Sequence, residues 1–179
     1  MDWLEAYAPL DGVRLNMVVG AKGSFTDESG SSRGISNDTD RALIKWLRSI
    51  SDVVVTGGHT ARNESYRNTS KLQLAVISRK PAVTDGRITL TPPTTTEVGP
   101  WTIDALRTKG FHRVLLEVGP SLAGEFLSKN LVDEFCLTVT SGNEQTAVAT
   151  LTRFGSRLKL AESFRIEGTL FTIWRRGND

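Results

Sequence analysis

Three short stretches put residues capable of chemistry where a strand hands over to a helix. "TGGHTARNES" has Gly57-Gly58 at a strand end and His59-Thr60 at a helix start. A helix start offers unpaired N–H groups and the positive end of a dipole, and glycine lets the backbone come close to a ligand. That pairing suits a phosphate; a tight turn capped by Thr60 is the alternative. "ISRK" places Ser78 and Arg79 at another strand end. A hydroxyl and a guanidinium fit a dianionic phosphate, because Arg binds it through two hydrogen bonds. An arginine in this place favours NADP over NAD through the 2′-phosphate; a solvated charge pair before Pro81 is the alternative. "LLEVGPSL" ends a strand at Glu117 and opens a helix at Gly119-Pro120-Ser121, with Pro in the tolerated first turn. N–H groups from Gly119 to Leu122 can hold a pyrophosphate. Glu117 is an acid and no phosphate ligand; it suits hydrogen bonds from a substrate, or from neighbouring N–H groups.

Other chemistry finds little support. Neither G-x-G-x-x-G nor G-x-x-x-x-G-K-[ST] occurs. The histidines are His59 and His112, and the one cysteine, Cys136, lies in the apolar run "EFCLTVT". That set makes no metal cluster and no disulfide framework.

The elements that must position the three seams alternate between strand and helix. "VRLNMVV" alternates Val13, Leu15, Met17 and Val19 and predicts a strand. A Gly-rich polar loop follows. "SNDTDRALIKWLRSI" has cap residues at Ser36, Asn37 and Asp38, and apolar Leu43, Trp46, Leu47 and Ile50 at helical spacing. "DVVVTGG", "LQLAVISR" and "RVLLEVG" predict short buried parallel strands. "TPPTTTEVGP" predicts a surface loop, and "TIDALRTKG" a helix closed by Gly110. "SLAGEFLSKN" predicts a helix with Leu122, Phe126 and Leu127 inward. "VDEFCLTVTS" and the two halves of "RLKLAESFRIEGTLFTIWRR" predict strands, the last two a hairpin turning at Glu167-Gly168. The pattern predicts an α/β fold: a central, mostly parallel mixed sheet with helices on both faces and a C-terminal antiparallel hairpin. Ligands of such sheets gather at the carboxyl ends of the strands.

The 179 residues suit a single domain, 1–179. With 39% apolar residues, 23% charged residues and a net charge of +2, the composition is that of an ordinary soluble domain. That balance gives no argument for nucleic acid. No apolar run is long enough to cross a membrane and "MDWLEAYAPLDG" does not read as a signal peptide, so a cytoplasmic protein is expected.

The order of these motifs resembles the dihydrofolate reductase-like superfamily. Within it, the match is to the pyrimidine reductases of riboflavin biosynthesis, the C-terminal domain of bifunctional deaminase-reductases. The resemblance rests on Gly30-Ser31-Ser32, on Leu47-Arg48 followed by Asp52, on Gly57 to Thr60, and on "EVGPSLAGEFLSKNLVDEFCLTV". "TARNESYR" resembles T-x-R-x-E-x-Y-R of one branch, and Asn16 resembles the same branch. Two positions depart. S-x-D-G appears as Gly20-Ala21-Lys22-Gly23, and Glu-Gly-Gly as Glu117-Val118-Gly119.

The resemblance implies an NADPH-dependent oxidoreductase, a 5-amino-6-(5-phosphoribosylamino)uracil reductase-like enzyme, reducing a phosphorylated pyrimidine substrate. It implies Asn16 and Glu117 as substrate-positioning residues, and Ser32, Arg62, Tyr66 and Arg67 as substrate contacts. The cofactor contacts are Gly57, Gly58, His59, Thr60, Ser78, Arg79 and the run Val118, Gly119, Pro120, Ser121, Leu122. In this fold the peptide at the Val118-Gly119 position is typically cis. Relatives are commonly dimers, and "TLFTIWRR" offers an apolar edge or face for a homodimer. Lys22 and Val118 motivate a second reading, a degenerate non-catalytic NADP-binding relative. A folate-type reductase needs an acid on the first long helix, Asp38 or Asp40, and capping explains both.

Overall fold

The computed structural model describes residues 2–28, 30–63, 73–79 and 87–177. Tyr66 and Arg67 lie outside the described residues.

Eight strands form one sheet: β1 Gly12–Val19, β2 Val53–Gly57, β3 Gln73–Ile77, β4 Ile88–Leu90, β5 Arg113–Leu116, β6 Glu134–Val139, β7 Lys159–Ile166 and β8 Thr169–Arg175. Their order is β4-β3-β2-β5-β1-β6-β8-β7. The first six run parallel, and β8 adds antiparallel to β6 and β7 to β8. The helices are α1 Asp38–Ser49, α2 Gly58–Asn63, α3 Val98–Thr108, α4 Pro120–Ser128 and α5 Glu144–Arg153.

β1 is central and buried on both faces, so its polar alternates are buried as well as its apolar ones. Val13, Leu15, Met17 and Val19 join Phe126, Leu127 and Leu106 in the core beneath α3, α4 and α5. The opposite face packs Val54, Leu115, Cys136, Phe171 and Ile173 against Leu43 and Leu47 of α1. On that second face Arg14 and Glu134 form a buried ion pair at 2.6 Å.

The hairpin turns where expected. Glu167 and Gly168 take φ of 49° and 81°, as a two-residue turn with left-handed residues requires. Gly110, with φ 84°, closes α3.

Four expectations need correction. α3 starts at Val98, inside the stretch expected to be loop. β4 and α5 were not anticipated: β4 has three residues, and α5 is signalled mainly by the reciprocal cap of Asn143 and Thr146. β8 is no edge. It lies between β6 and β7 with nearly every residue buried, so the apolar edge invoked for a homodimer is already paired. The edge strand on that side is β7, which carries Lys159, Glu162 and Arg165 and a register shift between Leu160 and Glu162, features that discourage further pairing. Lastly, no cis peptide occurs among the described residues, and Val118-Gly119 is trans.

Candidate functional site

β2, β5 and β1 end side by side, and the chain leaves the first two directly into α2 and α4. A cleft of about 690 Å³ opens over these ends. It is lined from β1 by Asn16, Met17 and Val18, from the α2 start by His59 and Thr60, and from the α4 start by Glu117, Val118, Gly119 and Pro120. The loop after β1 adds Phe25, Thr26 and Gly30 to Ser32, and α1 adds Ile44 and Arg48. Phe25 is held in the cleft wall by its ring contact with Phe154 at 5.6 Å and by Arg153 over its face at 5.3 Å.

Two of the three seams therefore meet. A Cβ on Gly119 would stand 3.9 Å from Thr60 Oγ1, so the starts of α2 and α4 flank one gap. Gly119 is the N-cap of α4 and no side chain caps that helix. The N–H groups of Ser121 and Leu122 have no carbonyl of their own helix to bond. The third seam adjoins through Gly58: a Cβ there would come within 3.1 Å of Ser78 Oγ and 3.4 Å of an Arg62 guanidinium nitrogen. Gly57 backs onto Leu122, whose Cδ1 lies 3.2 Å from the Cβ a side chain would add. Arg79 and Arg62 are exposed beside the cleft and do not line it.

Asn16 and Ser32 both line the cleft. Asn16 is 7% exposed, and its Oδ1 has no hydrogen-bond partner among the described residues. A buried acceptor left in this state is the mark of a group that bonds a ligand or water. Val118 is 5% exposed and belongs to the core under α3 and α4, so its side chain packs rather than filling the gap beside Thr60. Lys22 is exposed, with φ 57°, and does not line the cleft.

Glu117, expected to position a substrate, lines the cleft and is paired with Arg48 there. Its N–H donates to Val55 O at 2.8 Å, which fixes the backbone, and its carboxylate accepts two hydrogen bonds from Arg48, Nε at 2.8 Å and a terminal nitrogen at 2.5 Å. Arg48 is a cleft residue that the sequence reading left out of the site. The signal for it was the helical spacing Asp40, Ile44, Arg48, which puts all three on one side of α1. Asp52, four residues on, serves the opposite end of the sheet. It accepts from the backbone N–H of His112 and Arg113 and from the Arg113 guanidinium. Burial opposes its charge, but the Arg113 hydrogen bonds outweigh that and hold its carboxyl below the usual range.

Asp40 corrects a second expectation. The cap of α1 is Asn37, which accepts from Asp40 N–H at 3.0 Å. Asp40 itself is fully buried, and one oxygen accepts from Ser36 Oγ at 2.6 Å. Asp38 is the exposed acid, paired with Arg41. Burial pushes the Asp40 carboxyl above its usual range, against hydrogen bonding from Ser36 and Thr138 and the Arg41 charge, and Glu117 adds to the rise. The native state thus binds this proton more tightly than the unfolded chain does. Its stabilising share is complete below the unfolded value of about 3.9 and is lost as pH rises through the higher folded value. Asp40→Asn is expected to raise Tm relative to the parent, by more at pH 8 than at pH 4. A Tm change that is the same at both pH values would show that Asp40 is not buried against its charge.

Among the described residues no group of three or more His, Cys, Asp or Glu side chains could hold a metal ion. Among the described residues no helix is long and apolar enough to cross a membrane.

Comparison with known proteins places this geometry. Residues 100–170, less than half of the chain, match the family model of the RibD C-terminal domain. No curated protein sequence is significantly similar. Among solved structures, a pyrimidine reductase-like protein from Corynebacterium diphtheriae superposes with a TM-score of 0.76 at 21% identity, covering 94% of this chain and 93% of that one. RibD from Acinetobacter baumannii gives 0.65 at 19% identity over 93% of this chain; the match spans 58% of that longer protein. The riboflavin biosynthesis reductase Rib7 of Saccharomyces cerevisiae gives 0.66 at 12% identity, over 94% and 90%. The fold is the dihydrofolate reductase-like one, as the motif order implied.

Proposed function

We propose that this protein is an NADPH-dependent reductase of the pyrimidine reductase type, acting on a phosphorylated aminopyrimidine such as 5-amino-6-(5-phosphoribosylamino)uracil. The observation that carries the reading is the meeting of the α2 and α4 starts, Thr60 against Gly119, over a cleft whose floor holds the unpartnered Oδ1 of Asn16. The residues present fit the cofactor. His59, Thr60 and the N–H groups of Ser121 and Leu122 would hold its diphosphate, and a side chain on Gly119 would occupy that space. Ser78 and Arg79 would take the 2′-phosphate. When bound, the cofactor supplies a hydride. The chain's own part is to place the acceptor: Asn16 offers a fixed hydrogen bond, Ser32 a hydroxyl, and Ile44, Phe25 and Val18 an apolar wall against water. Nothing in this scheme asks the protein for a strong base. Of the two residues behind the degenerate reading, Lys22 and Val118, the second packs in the core.

Titration of the native protein with NADPH, followed by assay of NADPH oxidation with the aminopyrimidine ribosyl phosphate, tests the proposal. Micromolar binding and turnover are expected. Failure to bind NADPH overturns the proposal; binding without turnover overturns the substrate assignment. Arg79→Ala is expected to weaken NADPH about 10–100-fold, the worth of one charge-assisted pair, and to change NADH binding less than about threefold. Equal losses for the two cofactors would remove Arg79 from the 2′-phosphate.

A further inference from the structure

Phe25 is the only Phe, Tyr or Trp side chain lining the cleft among the described residues. Its place is set from outside the cleft. The chain leaves β1 through a turn closed on itself: the Gly20 N–H donates to Ser24 O at 2.9 Å, and Lys22 and Gly23 take φ of 57° and 71°. A Cβ on Gly23 would stand 3.5 Å from Thr150 Oγ1, so the turn lies against α5. Phe25 follows at once. The Arg153 guanidinium carbon lies 5.3 Å from its ring centroid, and the Phe154 ring lies 5.6 Å away, tilted by 40°. Phe154 is 8% exposed and is itself seated on α4, where a Cβ on Gly124 would meet its Cδ1 at 3.3 Å. The Phe25 ring is thus ordered before any ligand arrives, which removes that cost from binding. A cation over one face draws the ring's electrons toward itself. The rest of the ring then makes a better partner for an electron-rich planar ring.

We propose that Phe25 is a specificity-determining residue of the cleft, the surface on which a planar nitrogen heterocycle stacks, and that Arg153 is the positioning residue that holds its ring. This rests on the reading of the cleft as a reductase site. Both rings of that reaction, the reduced nicotinamide and the aminopyrimidine, have this chemistry.

Three probes test it by calorimetry: NADPH; 2′-phospho-ADP-ribose, the same nucleotide without its nicotinamide; and the aminopyrimidine ribosyl phosphate. F25L keeps an apolar side chain and removes the ring. It is expected to weaken at least one heterocyclic ligand about tenfold, the worth of one stacked ring, and 2′-phospho-ADP-ribose less than about twofold. A loss confined to NADPH identifies the nicotinamide as the stacked ring, and a loss confined to the third probe identifies the pyrimidine. F25Y is expected to stay within about threefold of the parent. R153M, at an exposed position, is expected to weaken the same ligand about threefold and to add nothing in the F25L background, where no ring is left to hold. An F25L that binds all three probes as the parent does overturns the proposal. So does one that weakens 2′-phospho-ADP-ribose as much as NADPH, and so do R153M and F25L losses that simply add. If F25L does not fold, R153M decides: unchanged affinity for both heterocyclic ligands overturns the proposal. A native protein that binds the aminopyrimidine and not NADPH overturns the proposed function alone, and F25L then decides the stacking on the pyrimidine. Binding of neither overturns both.

Discussion

Cutting Glu134 back to alanine is expected to cost the fold about 3–5 kcal/mol, seen as a lower urea midpoint and a Tm roughly 10–15 °C lower. Glu134 is 3% exposed and accepts from Arg14 Nε at 2.6 Å and from Arg175 Nε at 2.7 Å. The two arginines are unequal. Arg175 keeps Glu162 at 3.0 Å and reaches solvent, so its loss is small. Arg14 is 4% exposed in the central strand and would retain only its hydrogen bond to Ala8 O, leaving a buried charge without a counter-charge. Burial already pushes the neighbouring Cys136 thiol well up, which marks the region as dry. The cost comes from stranding Arg14, not from the worth of the pair. R14M/E134L is therefore expected to be far closer to the parent than E134A. A double variant as unstable as E134A would refute this, and so would an E134A loss under about 1 kcal/mol. The pair lies toward the amino end of β1, away from the cleft, so folded E134A is expected to bind NADPH as the parent does.

The same strand shows what sequence can and cannot say. The alternation of Val13, Leu15, Met17 and Val19 announced β1, and the Gly-rich strand ends announced the α2 and α4 starts. Glycine at a strand-to-helix junction is a local signal, legible without knowing the partner. The Arg48–Glu117 pair is not local. Its members stand 69 positions apart, and only the placement of α1 over β5 joins them. Asp40 was misread for a related reason. An acid in the first turn of a helix looks like a cap, and whether it faces water or the sheet depends on the helix's rotation. The place of β8 failed likewise. An apolar terminal strand reads as an edge until the order of the sheet shows β7 outside it. β4 was too short to carry a period, and α5, "EQTAVATLTR", has too few large apolar residues to show one. Thus local turn and period signals survived the step to three dimensions, and features set by sheet order or helix rotation did not.

Gly119→Val is expected to weaken NADPH about 100-fold or more while leaving the fold within about 1 kcal/mol of the parent. Gly119 has φ −67° and ψ 167°, extended backbone that any residue adopts. A Cβ there would meet nothing nearer than Thr60 Oγ1 at 3.9 Å, so the branch point of the side chain is accommodated without a clash. Reduced freedom of the unfolded chain even favours the variant slightly. What changes is the gap. Two methyl groups between the α2 and α4 starts would keep a diphosphate from the N–H groups of Ser121 and Leu122. Losing two charge-assisted hydrogen bonds of about 1.5–3 kcal/mol each is at least a hundredfold in affinity. Val118→Ala is the matched control one residue away. Its side chain is 5% exposed and packs into the core, so truncation is expected to cost about 1–3 kcal/mol of stability and to change NADPH affinity less than about threefold. The two variants thus separate binding from packing at adjacent positions. If Val118→Ala weakens the cofactor and Gly119→Val does not, the diphosphate does not lie between Thr60 and Gly119, and the cradle must be sought elsewhere along the strand ends.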